Sequence, residues 1–312
     1  MEDSSQDCNT QAQEIDIRLK QLSYSSLLNL HSCPRRFQLD KSSDGEREDS
    51  TTFAFGHCIG LGIQLSFEGK SENEIIFALF KQWSVDLFEE HEKRQESFWL
   101  AVHAIQKFIG MRAAGFLEEY ELVYYQDKPA CELGFVINFP DGFRYRGFVD
   151  AVLRHKYTGS IAVLEVKTTG LNDIDEAVYK NSAQAIGYSI VLDSIFADLS
   201  SYDVLYLPYK KKIKEYELRV YNKSYLQRAL WIQELLLDIE TIKLYASAGI
   251  YPMRGESCYD FYRQCKYFGT CTLSNQYMLK PVTEKELDRI AKEEYSVSLT
   301  LMDLLNSQLA KS

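Results

Sequence analysis

GFVDAVLRHKYTGSIAVLEVKTTG, residues 147–170, decides the fold. Two runs rich in Val, Ile, Leu and Phe flank Thr158-Gly159, a turn dipeptide, so the stretch reads as two antiparallel strands. Successive side chains on a strand point to opposite faces. Glu165 and Lys167 therefore share one face of a very apolar strand, while Leu164 and Val166 share the other. A buried strand does not carry two such charges without pairing or a ligand.

Working outward, Leu122 to Gln126, Cys131 to Phe139, Phe143 to Arg154 and Ser160 to Thr168 form one meander, with Asp141-Gly142 as a second turn. A helix over about Asp175 to Leu192 follows, then strands near Asp203 to Pro208 and Glu215 to Tyr221, then a helix from Tyr225 to Ala246. Upstream the period is helical. Leu22 to Asp40 reads as a helix with Ser23 or Ser25 as N-cap, and Phe53 to Phe67 with Glu74 to Phe116 read as three more. The polar patch Lys41 to Ser50 reads as a loop, and two charged amphipathic helices close the chain from Thr283 to Ala310. The expected class is α/β, a central mixed β-sheet flanked by helices with an N-terminal helical layer. The expected organisation is a flexible N-terminus over 1–21, a helical region over 22–120, a core over 121–246, a cysteine-rich segment over 247–280 and a helical extension over 281–312.

With 312 residues, 46% of them apolar, the chain can bury a substantial core. The formal charge of -10 argues against a protein that coats nucleic acid by bulk electrostatics. Contact with phosphate would have to be confined to a local strip, for which Lys210, Lys211, Lys212 and Lys214 are the candidates; the bland reading of that strip is a solvated hairpin turn. No run of about 18 uncharged apolar residues is present, and the first ten residues are polar and acidic, so a soluble, cytoplasmic protein is expected. Seven cysteines without an export signal make a disulfide framework improbable and raise the question of metal ligation.

Asp150 lies on the strand before Glu165, across a short turn. Two convergent carboxylates and the Val166 carbonyl make a hard-oxygen site of the kind Mg2+ or Mn2+ prefers. Lys167 adds a cation that could orient a water or neutralise a transition state, as phosphodiester hydrolysis requires. The bland alternative is an ordinary Glu165–Lys167 salt bridge on an exposed sheet face.

Gly147-x-x-Asp150 followed by Glu165-Val166-Lys167-Thr168-Thr169-Gly170 resembles the G-x-x-D and D/E-x-K-T-G blocks of RecB-type nucleases of the PD-(D/E)XK superfamily. Gln184-x-x-x-Tyr188, whose side chains lie one helical turn apart, is similar to their Q-x-x-x-Y motif. The resemblance implies a restriction-endonuclease-like core in which Asp150, Glu165 and Lys167 are catalytic and Gln184 and Tyr188 line the site and place DNA. Lys210, Lys211, Lys212 and Tyr188 are the expected DNA contacts. The family's upstream G-x-x-x-H departs here, because Gly60 stands at the histidine position. His57, one turn before, and Gln64, one turn after, are the substitutes, with His57 the candidate metal ligand; packing or helix capping is its bland role.

Cys258, Cys265 and Cys271 crowd among aromatics that include Tyr259, Phe261, Tyr262, Tyr267 and Phe268, while Cys8, Cys58 and Cys131 read as small apolar residues. All-thiolate ligation suits either Zn2+ or an iron-sulfur cluster. Ser32-Cys33-Pro34-Arg35-Arg36-Phe37 resembles the N-terminal block of the iron-sulfur branch, which includes the AddB nuclease domain and CRISPR adaptation exonucleases. That likeness implies a C-terminal iron-sulfur cap, with Cys33 joining the three late cysteines around a 4Fe-4S cluster; Tyr262 stands where many relatives carry a cysteine, a variant of phage-encoded relatives. The implied function is a metal-dependent DNA exonuclease acting on single strands or duplex ends in replication, recombination or end processing, in a bacterial host if phage-encoded. The alternative is an inactive nuclease-fold subunit that binds DNA and docks a replication or recombination protein on the C-terminal helices. A restriction-type endonuclease ranks last, since no separate recognition domain is visible.

Overall fold

The computed structural model describes residues 15–42, 51–83, 96–173, 175–196, 201–260, 263–271 and 282–309. Cys8, Phe261, Tyr262 and most of the polar patch at 41–50 lie outside them. The chain forms two compact units, one from the described residues of 1–45, 137–146 and 232–294, the other from those of 46–136, 147–231 and 295–312.

The second unit holds most of the sheet that carries the charged pair. Its strands are β2 (Tyr120–Leu122), β5 (Cys131–Asn138), β6 (Arg144–His155), β7 (Ile161–Thr169), β8 (Ser201–Lys210), β9 (Glu215–Tyr216), β10 (Arg219–Ser224) and β13 (Val297–Thr300), while β3 (Tyr124–Tyr125) and β4 (Lys128–Pro129) pair with each other. The main order is β10-β8-β7-β6-β5-β13. Strands β6 and β7 are antiparallel, with Ala151 opposite Leu164, and β7 and β8 are parallel, with Glu165 beside Tyr206. Strand direction is thus mixed, as expected.

One face of this sheet is apolar because every second residue is. Ala151, Leu153, Ala162, Leu164, Leu205 and Leu207 share a core with α3 (Thr51–Phe67), α4 (Glu72–Gln82) and α5 (Phe98–Ala113) through Phe55, Ile59, Ile63, Leu79, Ile105 and Phe108. Ser71 with Glu74 closes a capping box on α4, and the Ser97 side chain caps α5. Gly62 lets α3 and α5 approach, since a Cβ there would stand 2.5 Å from the Ile105 side chain. The opposite face, which carries Glu165 and Lys167, receives α7 (Ala183–Ile195).

The expected helix over 175–192 is in fact two, α6 (Glu176–Lys180) and α7, separated at Asn181 and Ser182. The C-terminus also differs. Between α9 (Glu284–Lys292) and α10 (Leu301–Leu309) runs β13, whose alternating buried and exposed residues complete the sheet beside β5.

In the first unit, β1 (Gln21–Leu22) pairs in parallel with the start of β6, so Leu22 is strand rather than helix. Ser23 then caps α1 (Tyr24–Ser32) in a box with Ser26, and Cys33 separates α1 from α2 (Pro34–Ser42). The helix α8 (Tyr225–Ala248) leads into a turn at Gly255–Cys258 and a hairpin of β11 (Tyr259–Asp260) with β12 (Arg263–Gln264). No helix among the described residues is long and apolar enough to cross a membrane.

Candidate active site

Asp150 stands on β6 one residue beyond the Ala151–Leu164 pair, so the register brings it to Glu165 on β7. There the ladder gives way to a side chain, and Asp150 Oδ2 accepts the Val166 N–H at 2.8 Å. Glu165 is fully buried. Its Oε1 pairs with the Lys167 ammonium, and its Oε2 has no hydrogen-bond partner among the described residues. An ionised carboxylate withdrawn from water with one oxygen unsatisfied is costly, and a cation is the usual remedy.

The electrostatics agree with that geometry. Burial pushes the Asp150 carboxyl well above the ordinary carboxylate range, and the charge of Glu165 adds to the effect. Burial disfavours the charge on Lys167, but Glu165 and Asp150 outweigh it and hold the ammonium above its usual pKa. The two acids thus favour the charged form of Lys167, which suits it to act as a donor.

A chain of hydrogen bonds fixes that cation. Lys167 Nζ donates to Gln184 Oε1 at 3.0 Å, and Gln184 Nε2 donates to the Tyr188 hydroxyl at 2.6 Å. Tyr188 is only 2% exposed and meets Phe135 edge-on at 6.3 Å. It stands behind Gln184, so the structure gives it a supporting position rather than a surface one. Gly147 belongs to the same arrangement, because a Cβ there would stand 2.9 Å from the Phe135 ring.

Other expected residues lie elsewhere. His57 is exposed and lies against Phe53 with ring centroids 4.1 Å apart and tilted by 39°, and Gln64 donates to Glu68 at 2.8 Å. Among the described residues no three His, Cys, Asp or Glu side chains meet in a metal-binding group, so His57 does not join Asp150 and Glu165. In the lysine strip, Lys210 pairs with Glu217 and Lys211 with Glu96, whereas Lys212 and Lys214 are exposed. The strip is near the site nonetheless, since the Lys211 N–H donates to Thr169 O at 2.9 Å, at the end of β7.

The four cysteines fall within the first unit. Cys265 N–H donates to Cys258 O at 2.8 Å, Ser257 Oγ donates to Ser32 O at 2.7 Å, and the Arg35 N–H donates to Pro252 O at 3.1 Å. Tyr267 donates to Asp40 at 2.7 Å. These bonds tie 32–40 to 252–271. The Cys258 thiol is raised in pKa by desolvation and then by Cys271, Cys265 and Cys33, so those three thiols lie near Cys258. They do not close on one point.

A family model described as the PD-(D/E)XK nuclease superfamily matches residues 21–272. Among solved structures, a provisionally named exonuclease from Eubacterium rectale is similar at 14% identity, with 92% of this chain and 98% of that chain covered and a TM-score of 0.49. SSO0001 is similar at 13% identity, covering 66% of this chain and 84% of its own, with a TM-score of 0.29. None of the curated proteins matches the sequence.

Proposed function

The chain belongs to the PD-(D/E)XK nuclease superfamily, and on that premise we propose that it is a Mg2+- or Mn2+-dependent deoxyribonuclease of the RecB-like branch that digests single strands or duplex ends. The observation that carries the reading is the fully buried Glu165 carboxylate, with one oxygen unpartnered, beside Asp150 and Lys167. Asp150, Glu165 and the Val166 carbonyl would hold the ion, and their all-oxygen chemistry suits it. When bound, the ion polarises the phosphodiester and lowers the pKa of the attacking water.

The remaining work falls to the chain's own groups. Lys167 orients the water and offsets developing negative charge, while Gln184, backed by Tyr188, keeps its ammonium aimed. Lys212 and Lys214 supply exposed cations for the strand's phosphates; Lys210 and Lys211 can join only by leaving their carboxylates.

Cys33, Cys258, Cys265 and Cys271 would supply an all-thiolate donor set for a 4Fe-4S cluster, with Zn2+ as the alternative. What favours the cluster over zinc is the likeness of the Cys33 block to the iron-sulfur branch of the superfamily. Bridging residue 33 to residues past 258 would constrain a very long loop, so the group's role is structural.

The experiment is digestion of end-labelled single-stranded and duplex DNA by anaerobically purified protein, with Mg2+, Mn2+ or chelator, alongside its visible spectrum and its iron, sulfide and zinc content. Digestion that ignores chelator, or a Lys167→Ala variant as active as the wild type, overturns the catalytic assignment. A colourless protein holding zinc overturns the cluster alone.

A further inference from the structure

Lys223 on β10 is fully buried, and no carboxylate pairs with it among the described residues. An ammonium withdrawn from water without a counter-ion is unfavourable, and burial lowers its pKa to about 8. Its partners are backbone carbonyls at the end of α6: Lys223 Nζ donates to Tyr179 O at 3.2 Å and to Lys180 O. Tyr179 O also accepts the Ser182 N–H at 3.3 Å, and an apolar side chain could not replace the two bonds from Lys223. At the other end of α6 the Asp175 side chain accepts the Ala177 N–H at 2.9 Å. This five-residue helix is thus fixed at both ends.

What α6 presents to the sheet is Tyr179. Its ring meets Tyr206 edge-on at 4.8 Å, and Tyr206 stands beside Glu165 in the β7–β8 register. The charges of Lys167 and Glu165 both reach its hydroxyl. Tyr179 is half-buried, and that hydroxyl makes no hydrogen bond among the described residues. A phenol in this position is a donor for which the described residues provide no acceptor.

We propose that Tyr179 is a further substrate-binding residue, its hydroxyl donating to a backbone phosphate of the strand next to the one held at Lys167, and that Lys223 is the residue that positions it. The inference rests on the nuclease reading. Packing alone would need only the ring, so Tyr179→Phe separates the two roles.

The test is steady-state digestion of end-labelled single-stranded DNA in Mn2+ by the intact protein. A hydrogen bond to a charged phosphate that is made equally in ground and transition states acts on KM. For Y179F the expected result is a KM raised by roughly tenfold or more with kcat within about twofold. K223M should raise KM similarly without touching DNA, and the double variant should be no worse than either single one, because the two effects run through one group. Should K223M not fold, K223Q, which keeps a donor for the carbonyls but no charge, should bind as the wild type does. An unchanged KM in Y179F overturns the proposal, and additive losses in the double variant overturn the positioning role of Lys223. A wild type that digests no DNA removes the nuclease reading itself; an active wild type beside an unaffected Y179F removes only this inference.

Discussion

The backbone N–H of Val166 donates to the Asp150 carboxylate at 2.8 Å, where the ladder between β6 and β7 has just ended at Ala151 and Leu164. A side chain thus replaces a ladder acceptor, and the bond aims one acid at the other. Burial and the Glu165 charge both disfavour an ionised Asp150. Asp150→Asn keeps an acceptor for Val166 and removes that repulsion. In chelator the variant should melt a few degrees higher, a gain on the order of 1 kcal/mol, while cleavage falls by at least about a hundredfold. Calorimetry with and without Mn2+ checks this; a variant less stable in chelator would contradict the account.

Lys167→Ala should behave in the opposite sense. Glu165 is fully buried and pairs with Lys167, so the substitution strands a carboxylate. Breaking a buried pair from one side costs about 3–5 kcal/mol, reduced here because Lys167 is itself 37% exposed. The variant should lose stability in chelator, recover most of it in Mn2+, and show no cleavage. Denaturant titrations in the two conditions would show it, and a loss unrelieved by the ion would weaken the claim that Asp150 and Glu165 bind metal.

Much of this site was readable because its signals are local. Period-two alternation put Glu165 and Lys167 on one face, and helical spacing put Gln184 beneath Tyr188; the structure places all four as those periods require. What escaped depends on distant partners. The short run Val297–Thr300 becomes a strand only by pairing with β5, far earlier in the chain, and without that partner it reads as part of a helix. Lys211 reads as a free cation until Glu96 is brought to it. The break between α6 and α7 carries neither Gly nor Pro, and Ser182 makes no side-chain cap. Tyr179 and Lys223 belong to no motif, and a lysine on the polar run RVYNKS gives no hint that it points inward.

Gly147→Ala tests the packing behind Gln184. The new Cβ would stand 2.9 Å from the Phe135 ring, which is buried and has little room to yield. Overpacking of this kind costs about 1–3 kcal/mol. Phe135 meets Tyr188 edge-on, and Tyr188 accepts the Gln184 amide, so any shift is passed toward Lys167. Activity measured well below the variant's melting temperature should fall by more than the unfolded fraction accounts for. A decline that only tracks unfolding would show that the ring packs without positioning.

Lys223 gives a prediction in pH. Its folded pKa is about 8 against an ordinary 10.5, because burial disfavours its charge. Between those values the unfolded chain holds a proton that the folded chain has released. Stability therefore rises with pH across that window on account of this residue. Below about pH 8 both states are protonated and the burial penalty is present in full. Above it the neutral amine still donates to Tyr179 O and Lys180 O, so α6 keeps its place. Other groups titrate in the same range, and subtracting K223M from the wild type removes them. The difference in unfolding free energy between wild type and K223M should shift in favour of the wild type from pH 8 to 10. Parallel pH profiles would mean that Lys223 keeps an ordinary pKa and that water reaches it.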